Sequence, residues 1–591
     1  MELKNIILSP SAYFYKTNRF DVSVRPWSKI GEAIKEAVNP AKGTFLLEGW
    51  AVHTFRDGKT ANYLICVYRL KDKVPPYAEE IEDFWKERKT GYAVLVAYNG
   101  HMAIQKRNAP ISKCLAGLLT PWDYTTLAAL NSNSTYTKIN MKNLDGSNNV
   151  IRSKTLIAND LKESMPYMGA NRYAINTING KNNDDELFSI SLSTSHIGES
   201  SDKLNIVEFI EWSRKYIDAI SNNAQPRIED FLSAFATPLN YRKHAAQLKP
   251  TSILISRQEI LDIVETEECT ISSSNGDQQV NKDYVVNYIN QLTQGPLLLS
   301  GTQNNYYTAL EGKITLLKRA DYISIKGTVI DNVILSGTPD EMYNGSLSNL
   351  IRQNHLFNVY FNDSSIIYTN GSLFQDHRLL NNAERLLEIL DSKTIKNLNQ
   401  TQSEKDEDSI FSAVEGTFTK ENQYLICGDL GTEWADHIVI EDGKVIFIAE
   451  KYKATLDSAS DFQDVIGQAL KNLGYFTPTE TDFNSKRQLW ERDYPKDNRP
   501  RFRHGPANKT LLDAIEVWKR NINSPLYQKE MCLAVNFISK SKFKTDLDNA
   551  LKDNNADANV KATTLQRLWL LSSFVNTCLE TGVTPRIYCA E

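Results

Sequence analysis

The sequence predicts a multidomain α/β protein whose C-terminal third is a mixed sheet flanked by helices. Three observations lead to this prediction. At 591 residues, the chain is too long for a single hydrophobic core. Short apolar runs of strand length alternate with segments of helical periodicity along much of the chain. Residues 394–409 are highly charged and nearly devoid of apolar side chains, as expected for a linker.

This pattern divides the chain into three regions. We predict an N-terminal α+β domain over residues 1–250, a β-rich middle domain over 251–400 and a third domain over 410–591. No local pattern assigns a role to the first two regions, which we expect to recognise a partner, a signal or DNA.

Turn and periodicity signals identify several elements within these regions. Residues 92–98 end at Asn99-Gly100, a dipeptide typical of two-residue hairpin turns, which predicts a hairpin. Residues 204–220 have the apolar spacing of an amphipathic helix. Residues 131–185 are rich in Asn, Ser and Thr and are predicted as loops with short strands, and residues 328–335 as a strand.

Composition limits the classes of function. The net charge of −5 does not indicate a general nucleic-acid binder, so any DNA contact requires a local basic patch. The seven cysteines are scattered without a C-x-x-C pair, which argues against a zinc ribbon or a disulfide framework and favours a cytoplasmic protein. No apolar run approaches the roughly 20 residues that span a bilayer, so we expect no membrane association.

The third region contains an ordered series of polar residues and predicted elements. Asp436 precedes a short apolar strand, and Asp442-Gly443 forms a tight turn to a return strand over residues 445–451. That strand ends in Glu450 and Lys451, and an amphipathic helix follows over residues 462–473.

This order suits phosphodiester hydrolysis. Carboxylates on adjacent strands can hold Mg²⁺ (or Mn²⁺), and a nearby lysine can stabilise negative charge on the phosphate. Asp436 is the leading metal ligand, Glu450 and Lys451 are candidates on the second strand, and Gln468 on the helix could position them.

On these residues the segment resembles the PD-(D/E)xK superfamily of restriction-endonuclease-like nucleases. The resemblance is carried by residues 428–436, 447–452, 458–473 and 568–589, and it covers roughly 411–591, with weaker similarity back to about 345. It implies a restriction-endonuclease-like α/β core and a Mg²⁺-dependent DNA endonuclease of the kind associated with bacterial restriction and anti-phage defence.

One position departs from the pattern of that superfamily. The acid and the lysine should stand two residues apart on one strand face, but Ala449 occupies the position two before Lys451. A β-bulge could bring Glu450 onto the face of Lys451. Alternatively, Glu433 or another carboxylate replaces the missing ligand, or the domain is inactive.

Residues 485–509 form the best candidate for a DNA-binding surface. This segment contains eight Lys/Arg against three acids, with Trp490, Tyr494 and Phe502 interleaved, and three prolines are expected to keep it extended. The arginines assigned to DNA contact are Arg487, Arg492, Arg499, Arg501 and Arg503.

The sequence thus predicts a DNA endonuclease acting as a defence effector. The alternative is a catalytically inactive nuclease-fold subunit that binds DNA or acts as a scaffold for a partner ATPase or helicase. Since we find no motor motif in the chain, unwinding or sensing would require a partner protein. A homo-oligomer is also compatible with the sequence.

Overall fold

A computed structural model describes most of the chain. The described residues are 6–17, 45–69, 90–107, 109, 111, 115, 118–130, 134–144, 151–164, 170–221, 230–265, 269–274, 280–302, 304–309, 314–336, 345–375, 386–405, 407–429, 431–454, 459–552 and 558–591. The protein is a β-rich mixed α/β structure. It divides into an N-terminal unit (residues 1–163 and 172–377) and a C-terminal unit (residues 164–171 and 378–591).

The N-terminal unit contains a large antiparallel sheet, whose described strands have the order β3-β4-β5-β6-β2-β12-β11-β10-β8-β9, with β7 beside β2. A short pair, β1 and β13, accompanies it. The bounds are β1 Ile7–Leu8, β2 Ser11–Lys16, β3 Phe45–Thr54, β4 Thr60–Arg69, β5 Thr90–Tyr98, β6 His101–Arg107, β7 Thr120–Pro121, β8 Thr135–Asn143, β9 Ser153–Ile157, β10 Tyr173–Lys181, β11 Leu187–Ser191, β12 His196–Ser200 and β13 Leu204–Asn205.

A second antiparallel sheet of this unit has the order β14-β25-β24-β23-β15-β17-β18-β19-β20, and β16, β21 and β22 form a small third sheet. The bounds are β14 Thr237–Leu239, β15 Pro250–Ile255, β16 Thr270–Ser273, β17 Leu297–Thr302, β18 Asn305–Thr308, β19 Ile314–Lys318, β20 Ile323–Gly327, β21 Val333–Ser336, β22 Gly345–Ser346, β23 Phe357–Phe361, β24 Ile366–Thr369 and β25 Ser372–Gln375.

The helices described up to residue 377 are mostly short. They are α1 Tyr124–Ala128, α2 Leu161–Ser164, α3 Ile206–Ser221, α4 Asp230–Ser233, α5 Tyr241–His244, α6 Gln258–Val264, α7 Lys282–Leu292, α8 Thr328–Asn332 and α9 Leu347–Gln353.

The C-terminal unit is built on one mixed sheet with the strand order β26-β32-β31-β29-β28-β27-β30. Its strands are β26 Leu390–Asp391, β27 Tyr424–Cys427, β28 His437–Glu441, β29 Lys444–Lys451, β30 Phe502–His504, β31 Gln528–Ser539 and β32 Thr584–Ala590. Its helices are α10 Ile410–Thr417, α11 Ala459–Lys471, α12 Glu480–Trp490, α13 Leu511–Ile522, α14 Lys540–Lys552 and α15 Ala558–Glu580.

The two faces of this sheet are buried in different cores. Strands β27, β28 and β29 form an antiparallel meander, and β31 runs parallel to β29. Phe447 on β29 packs with Phe462 and Val465 of α11 in the larger core, whereas Ile448, the next residue, packs with Phe411 of α10 on the other side. Burial on both faces explains why these strands are nearly continuous apolar runs.

Several predictions about local structure are confirmed. Asn99 and Gly100 both have positive φ at the turn between β5 and β6, and the predicted amphipathic helix is α3. The Asp442-Gly443 turn connects β28 to β29, with a φ of 77° at Gly443.

Three predictions are wrong. Residues 131–185, predicted as loops with short strands, contain the long strands β8 and β10, whose many polar side chains obscure the alternation of a strand. In the strand predicted over residues 328–335, residues 328–332 are helical, and the strand β21 begins only at Val333. The 394–409 segment is not a free linker, because Ile395 and Leu398 are buried in the core of the C-terminal unit. Two well-placed apolar residues are enough to anchor a segment that is otherwise polar.

None of the described helices is long and apolar enough to cross a lipid bilayer.

Candidate functional site

Strand alternation separates Glu450 from Lys451. His437 of β28 pairs with Ile448 of β29, and Glu450 pairs with Ala534 of β31, without a register shift in either ladder. Because successive side chains on a strand point to opposite faces, Lys451 lies on the side of Ala449, and Glu450 on the side of Ile448. The bulge that would bring Glu450 to the face of Lys451 is therefore contradicted by the register.

Asp436 immediately precedes β28, and α11 packs over the sheet at this point. One of its carboxylate oxygens, Oδ2, accepts a hydrogen bond of 2.8 Å from the backbone N–H of Glu450. The side-chain amide of Gln468 donates to the same oxygen at 3.4 Å and to Oε1 of Glu433 at 3.2 Å. Gln468 therefore links two carboxylates, and we call Asp436, Glu433, Lys451 and Gln468 the Asp436 face.

The contacts described for the Asp436 carboxylate are with neutral groups. Burial, together with the negative charge of Glu450, raises the pKa of Asp436 to about 8. Lys471 of α11 approaches Glu433 at 3.7 Å, whereas the contacts that Asp436 makes through Oδ2 are to neutral amide groups. A buried carboxylate in this setting is stabilised in its charged form by a nearby cation.

The donor set of this face is compatible with Mg²⁺. Two carboxylates, those of Asp436 and Glu433, converge on one amide, and Mg²⁺ is commonly held by one or two carboxylates while it keeps several waters. Within the described part of the chain, no group of three or more His, Cys, Asp and Glu side chains has the geometry of a metal site.

Glu450 takes part in a different cluster on the opposite side of the sheet. His437 lies with Nδ1 2.5 Å from Oε1 of Glu450 and Nε2 3.2 Å from Oε1 of Glu415. Arg503 continues the network, with Nε 2.9 Å from Glu415 and a second contact of 2.6 Å to Asp497. We call His437, Glu450, Glu415 and Arg503 the His437 face.

Charges on the His437 face are paired. Burial would lower the pKa of His437, but the carboxylates of Glu450 and Glu415 outweigh it and hold that pKa well above its ordinary value. The protonated ring then donates from both nitrogens, one to each carboxylate. The side chains of His437 and Glu450 are fully buried, so Glu450 occupies an internal ion pair, and the structure does not bring it together with Glu433 and Gln468 as a ligand.

The loop before Asp436 is held in place by residues that lie outside the segments carrying the resemblance. Lys405 and the hydroxyl of Tyr494 both donate to Asp429, and these interactions hold the pKa of Asp429 below its usual range although burial opposes them. A side chain at position 428 would clash with the backbone carbonyl of Ala435, which explains the requirement for Gly428. No local sequence pattern identified Lys405 or Glu415, because their roles depend on tertiary contacts.

The basic segment at residues 485–509 is largely structural. Lys486 lies in α12 and donates to the carbonyl of Thr432, while Arg501 donates to the carbonyl of Asp429 at 2.8 Å. Arg501 and Arg503 are buried, and both guanidinium groups lie over the ring of Tyr494. The expectation that these two arginines belong to an exposed, extended surface is wrong, because they support the loop before Asp436 and the His437 face.

The other three predicted DNA-binding arginines are accessible to different extents. Arg499 is about half exposed and pairs with Glu415 and Asp497, and Arg487 of α12 pairs with Glu491, the residue that follows this helix. Arg492 is exposed just after α12. These three arginines remain the predicted DNA-binding surface, which carries less positive charge than the five arginines of the sequence prediction would give it.

Comparison with known proteins does not identify the chain: no family model matches it, and no curated protein shows significant similarity. A functional assignment therefore depends on the geometry of the site itself.

Proposed function

We propose that the C-terminal unit is a metal-dependent DNA endonuclease whose active site is the Asp436 face. The observation that carries the proposal is the convergence of Asp436 and Glu433 on Gln468, next to the strand face that holds Lys451. The element order α10, β27, β28, β29, α11, α12, β30, α13, β31 supports it, because an antiparallel meander, the helices that follow it and a strand parallel to β29 give the mixed sheet flanked by helices that the resemblance implies.

The residues of this face have separable roles in phosphodiester hydrolysis. Asp436 and Glu433 would hold Mg²⁺, which supplies Lewis-acid polarisation of the phosphoryl group and lowers the pKa of a bound water. Lys451 stabilises negative charge that develops on the phosphate oxygens. Gln468 is a positioning residue, because its single amide orients both carboxylates.

Glu433 replaces the acid that the superfamily has at the position of Ala449. Ala449 is buried with 1% of its surface exposed and offers no ligand atom. The side chain of Glu433 is 11% exposed and within hydrogen-bond distance of Gln468, so it is the carboxylate best placed to complete the pair with Asp436.

Cleavage of supercoiled plasmid and linear DNA in Mg²⁺, Mn²⁺ or EDTA tests this proposal. Lys451→Met is expected to lower the metal-dependent rate by roughly 100-fold or more, since loss of one preorganised electrostatic group costs that order of magnitude. The control is Lys529→Met, a half-buried lysine near the far end of the neighbouring strand β31. Equal cleavage by Lys451→Met and wild type would remove Lys451 from the mechanism.

A second candidate function is that of an inactive nuclease-fold subunit, acting as a DNA-binding or assembly scaffold for a partner such as an ATPase, helicase or sensor. The observation that favours it is Ala449, which leaves the pattern of the superfamily incomplete. Metal-independent DNA binding in a gel shift, together with no cleavage by the wild type in any metal, would favour this alternative. A role as an anti-phage or restriction effector is supported only by the sequence resemblance. Because that role requires cleavage of DNA, it depends on the result of the same experiment.

A further inference from the structure

Lys486 is a buried lysine on the apolar face of α12. Phe483, Lys486 and Trp490 are three and four residues apart, so they lie on the same side of the helix, and all three are buried. Phe483 and Trp490 belong to the larger core of the C-terminal unit. Lysine is seldom buried unless its ammonium group has partners, so the partners of Lys486 indicate why it occupies this position.

These partners lie on both sides of Glu433 in the chain. The Nζ atom of Lys486 donates to the backbone carbonyl of Thr432 and lies 3.4 Å from the hydroxyl of the same residue. The same ammonium group is 5.5 Å from the centre of the Trp434 ring, within the range of a cation–π contact. One ammonium group therefore contacts both the residue before Glu433 and the residue after it.

The backbone around Glu433 has no regular secondary structure. Residues 431–435 belong to no helix or strand, so a ladder of backbone hydrogen bonds does not hold them. Trp434 is instead fixed by the core, because its ring stacks on that of Tyr475 at 5.0 Å and meets that of Trp490 edge-on at 5.5 Å. The position of the Glu433 carboxylate therefore depends on the side chains that hold its two neighbours.

Lys486 is close to Glu433 without occupying its carboxylate. Burial lowers the pKa of Lys486, and the negative charges of Glu433 and Asp482 oppose this change. The contacts described for the Glu433 carboxylate itself are with the amide of Gln468 at 3.2 Å and with Lys471 at 3.7 Å. Lys486 can therefore orient Glu433 through the backbone while the carboxylate stays available to a cation.

We infer that Lys486 is a positioning residue of the metal site, because it fixes the residues on both sides of Glu433 and so presents that carboxylate to Mg²⁺ beside Asp436. The inference rests on the proposed function, which assigns the metal to Asp436 and Glu433. Groups that orient metal ligands without binding the metal typically account for roughly 10–100-fold in metal affinity. The helix α12, which carries none of the proposed ligands, thus contributes to the site.

Calorimetric titration of Mg²⁺ into the metal-free full chain tests this role. Lys486→Met is expected to weaken binding by about ten-fold or more. Loss of a nearby positive charge alone would strengthen the binding of a cation, so the sign of the change separates positioning from a charge effect. Lys471→Met is the matched control, since it removes the lysine 3.7 Å from Glu433, and we expect it to tighten binding.

A double-mutant cycle determines whether Lys486 acts through Glu433. Glu433→Gln is expected to weaken the binding of Mg²⁺ by itself, and the addition of Lys486→Met should then cost less than about two-fold. A general loss of structure would weaken binding equally in both backgrounds. Thermal melting in EDTA verifies the fold of each variant, and Lys486→Gln, which is shorter and uncharged, replaces Lys486→Met if that variant does not fold.

The results that would contradict this role differ from those that would contradict the proposed function. If the wild type binds Mg²⁺ and Glu433→Gln weakens it, unchanged or tighter binding by Lys486→Met overturns the role of Lys486 alone. An equal loss in both backgrounds of the cycle has the same meaning. If the wild type does not bind Mg²⁺, or Glu433→Gln binds it as tightly as the wild type, the metal assignment fails and the role of Lys486 fails with it.

Discussion

The two faces of the C-terminal sheet carry similar charged residues but differ in how those charges are neutralised. On the His437 face, Glu450 and Glu415 flank one imidazole and Arg503 continues the network, so the buried acids have cationic partners. On the Asp436 face, Asp436 is buried against the amides of Glu450 and Gln468, and its pKa is raised to about 8. Asp436 and its chain neighbour His437 therefore lie in different electrostatic environments, one without a described ion pair and one between two carboxylates.

Together with the proposed function, this difference leads us to assign a structural role to the His437 face and a metal-binding role to the Asp436 face. The buried pair of His437 and Glu450 holds the sheet together, because removal of either partner would leave a buried charge uncompensated, although Oε2 of Glu450 has no hydrogen-bond partner among the described residues. A buried carboxylate without a strong cationic partner is destabilised in its charged form unless a cation binds beside it. The contrast favours metal binding at Asp436 and a supporting role for Glu450.

The largest expected effect on stability is on the His437 face. His437→Ala leaves the buried carboxylate of Glu450 without its partner, so we expect the free energy of unfolding to fall by about 3–5 kcal/mol. Urea denaturation monitored by tryptophan fluorescence measures this change.

Asp436→Asn is the matched change on the other face. The amide that replaces the carboxylate retains an oxygen that accepts from the N–H of Glu450, so the change in unfolding free energy should stay within about 1 kcal/mol. Equal losses in the two variants would contradict the division between a structural and a functional face.

The second prediction concerns pH in the absence of metal. The pKa of Asp436 is about 8 in the folded chain, and an unfolded aspartate titrates near 3.9. Between these values the folded state holds a proton that the unfolded state has released, so the contribution of Asp436 to stability declines as pH rises from about 4 to 8. In EDTA, denaturation between pH 5 and 8 should show a steeper loss for the wild type than for Asp436→Asn. Identical slopes would show that Asp436 does not titrate in this range.

A smaller effect is expected from restoring the missing acid. Ala449→Asp adds a carboxylate two residues before Lys451, on the same face of β29. Because affinity for a divalent cation rises with the charge of the ligand set, Mg²⁺ should bind roughly ten-fold more tightly. Thermal melts at graded Mg²⁺ concentrations measure this gain. Ala449→Ser, which adds a polar atom without charge, is the control, and an equal gain in both variants would contradict the assigned geometry.

The sequence predicted the local elements of the C-terminal unit better than its charge network. The Asp442-Gly443 turn and the strands on either side follow from turn chemistry and hydrophobic pattern, and strict alternation along β29 already separates Glu450 from Lys451. The rest of the His437 face could not be predicted, because Glu415 and Arg503 reach it from α10 and β30, distant in the sequence.

Exposure was the other property that the sequence did not reveal. Arg501 and Arg503 have the composition of a DNA-binding segment, yet both are buried, with Tyr494 packed against the two guanidinium groups. In the N-terminal unit, β8 and β10 were missed because their many polar side chains obscure the alternation that identifies a strand.

Calorimetric titration of Mg²⁺ into the metal-free chain tests whether the metal binds at Asp436, with Asp436→Asn and Glu450→Gln compared under the same conditions. Both substitutions remove one buried carboxylate and keep its shape, and they act on opposite faces of the same two strands. We expect Asp436→Asn to abolish the binding of Mg²⁺ and Glu450→Gln to retain affinity within a few-fold of the wild type. Loss of binding in Glu450→Gln with normal binding in Asp436→Asn would contradict a metal site at Asp436 and would place the metal on the His437 face.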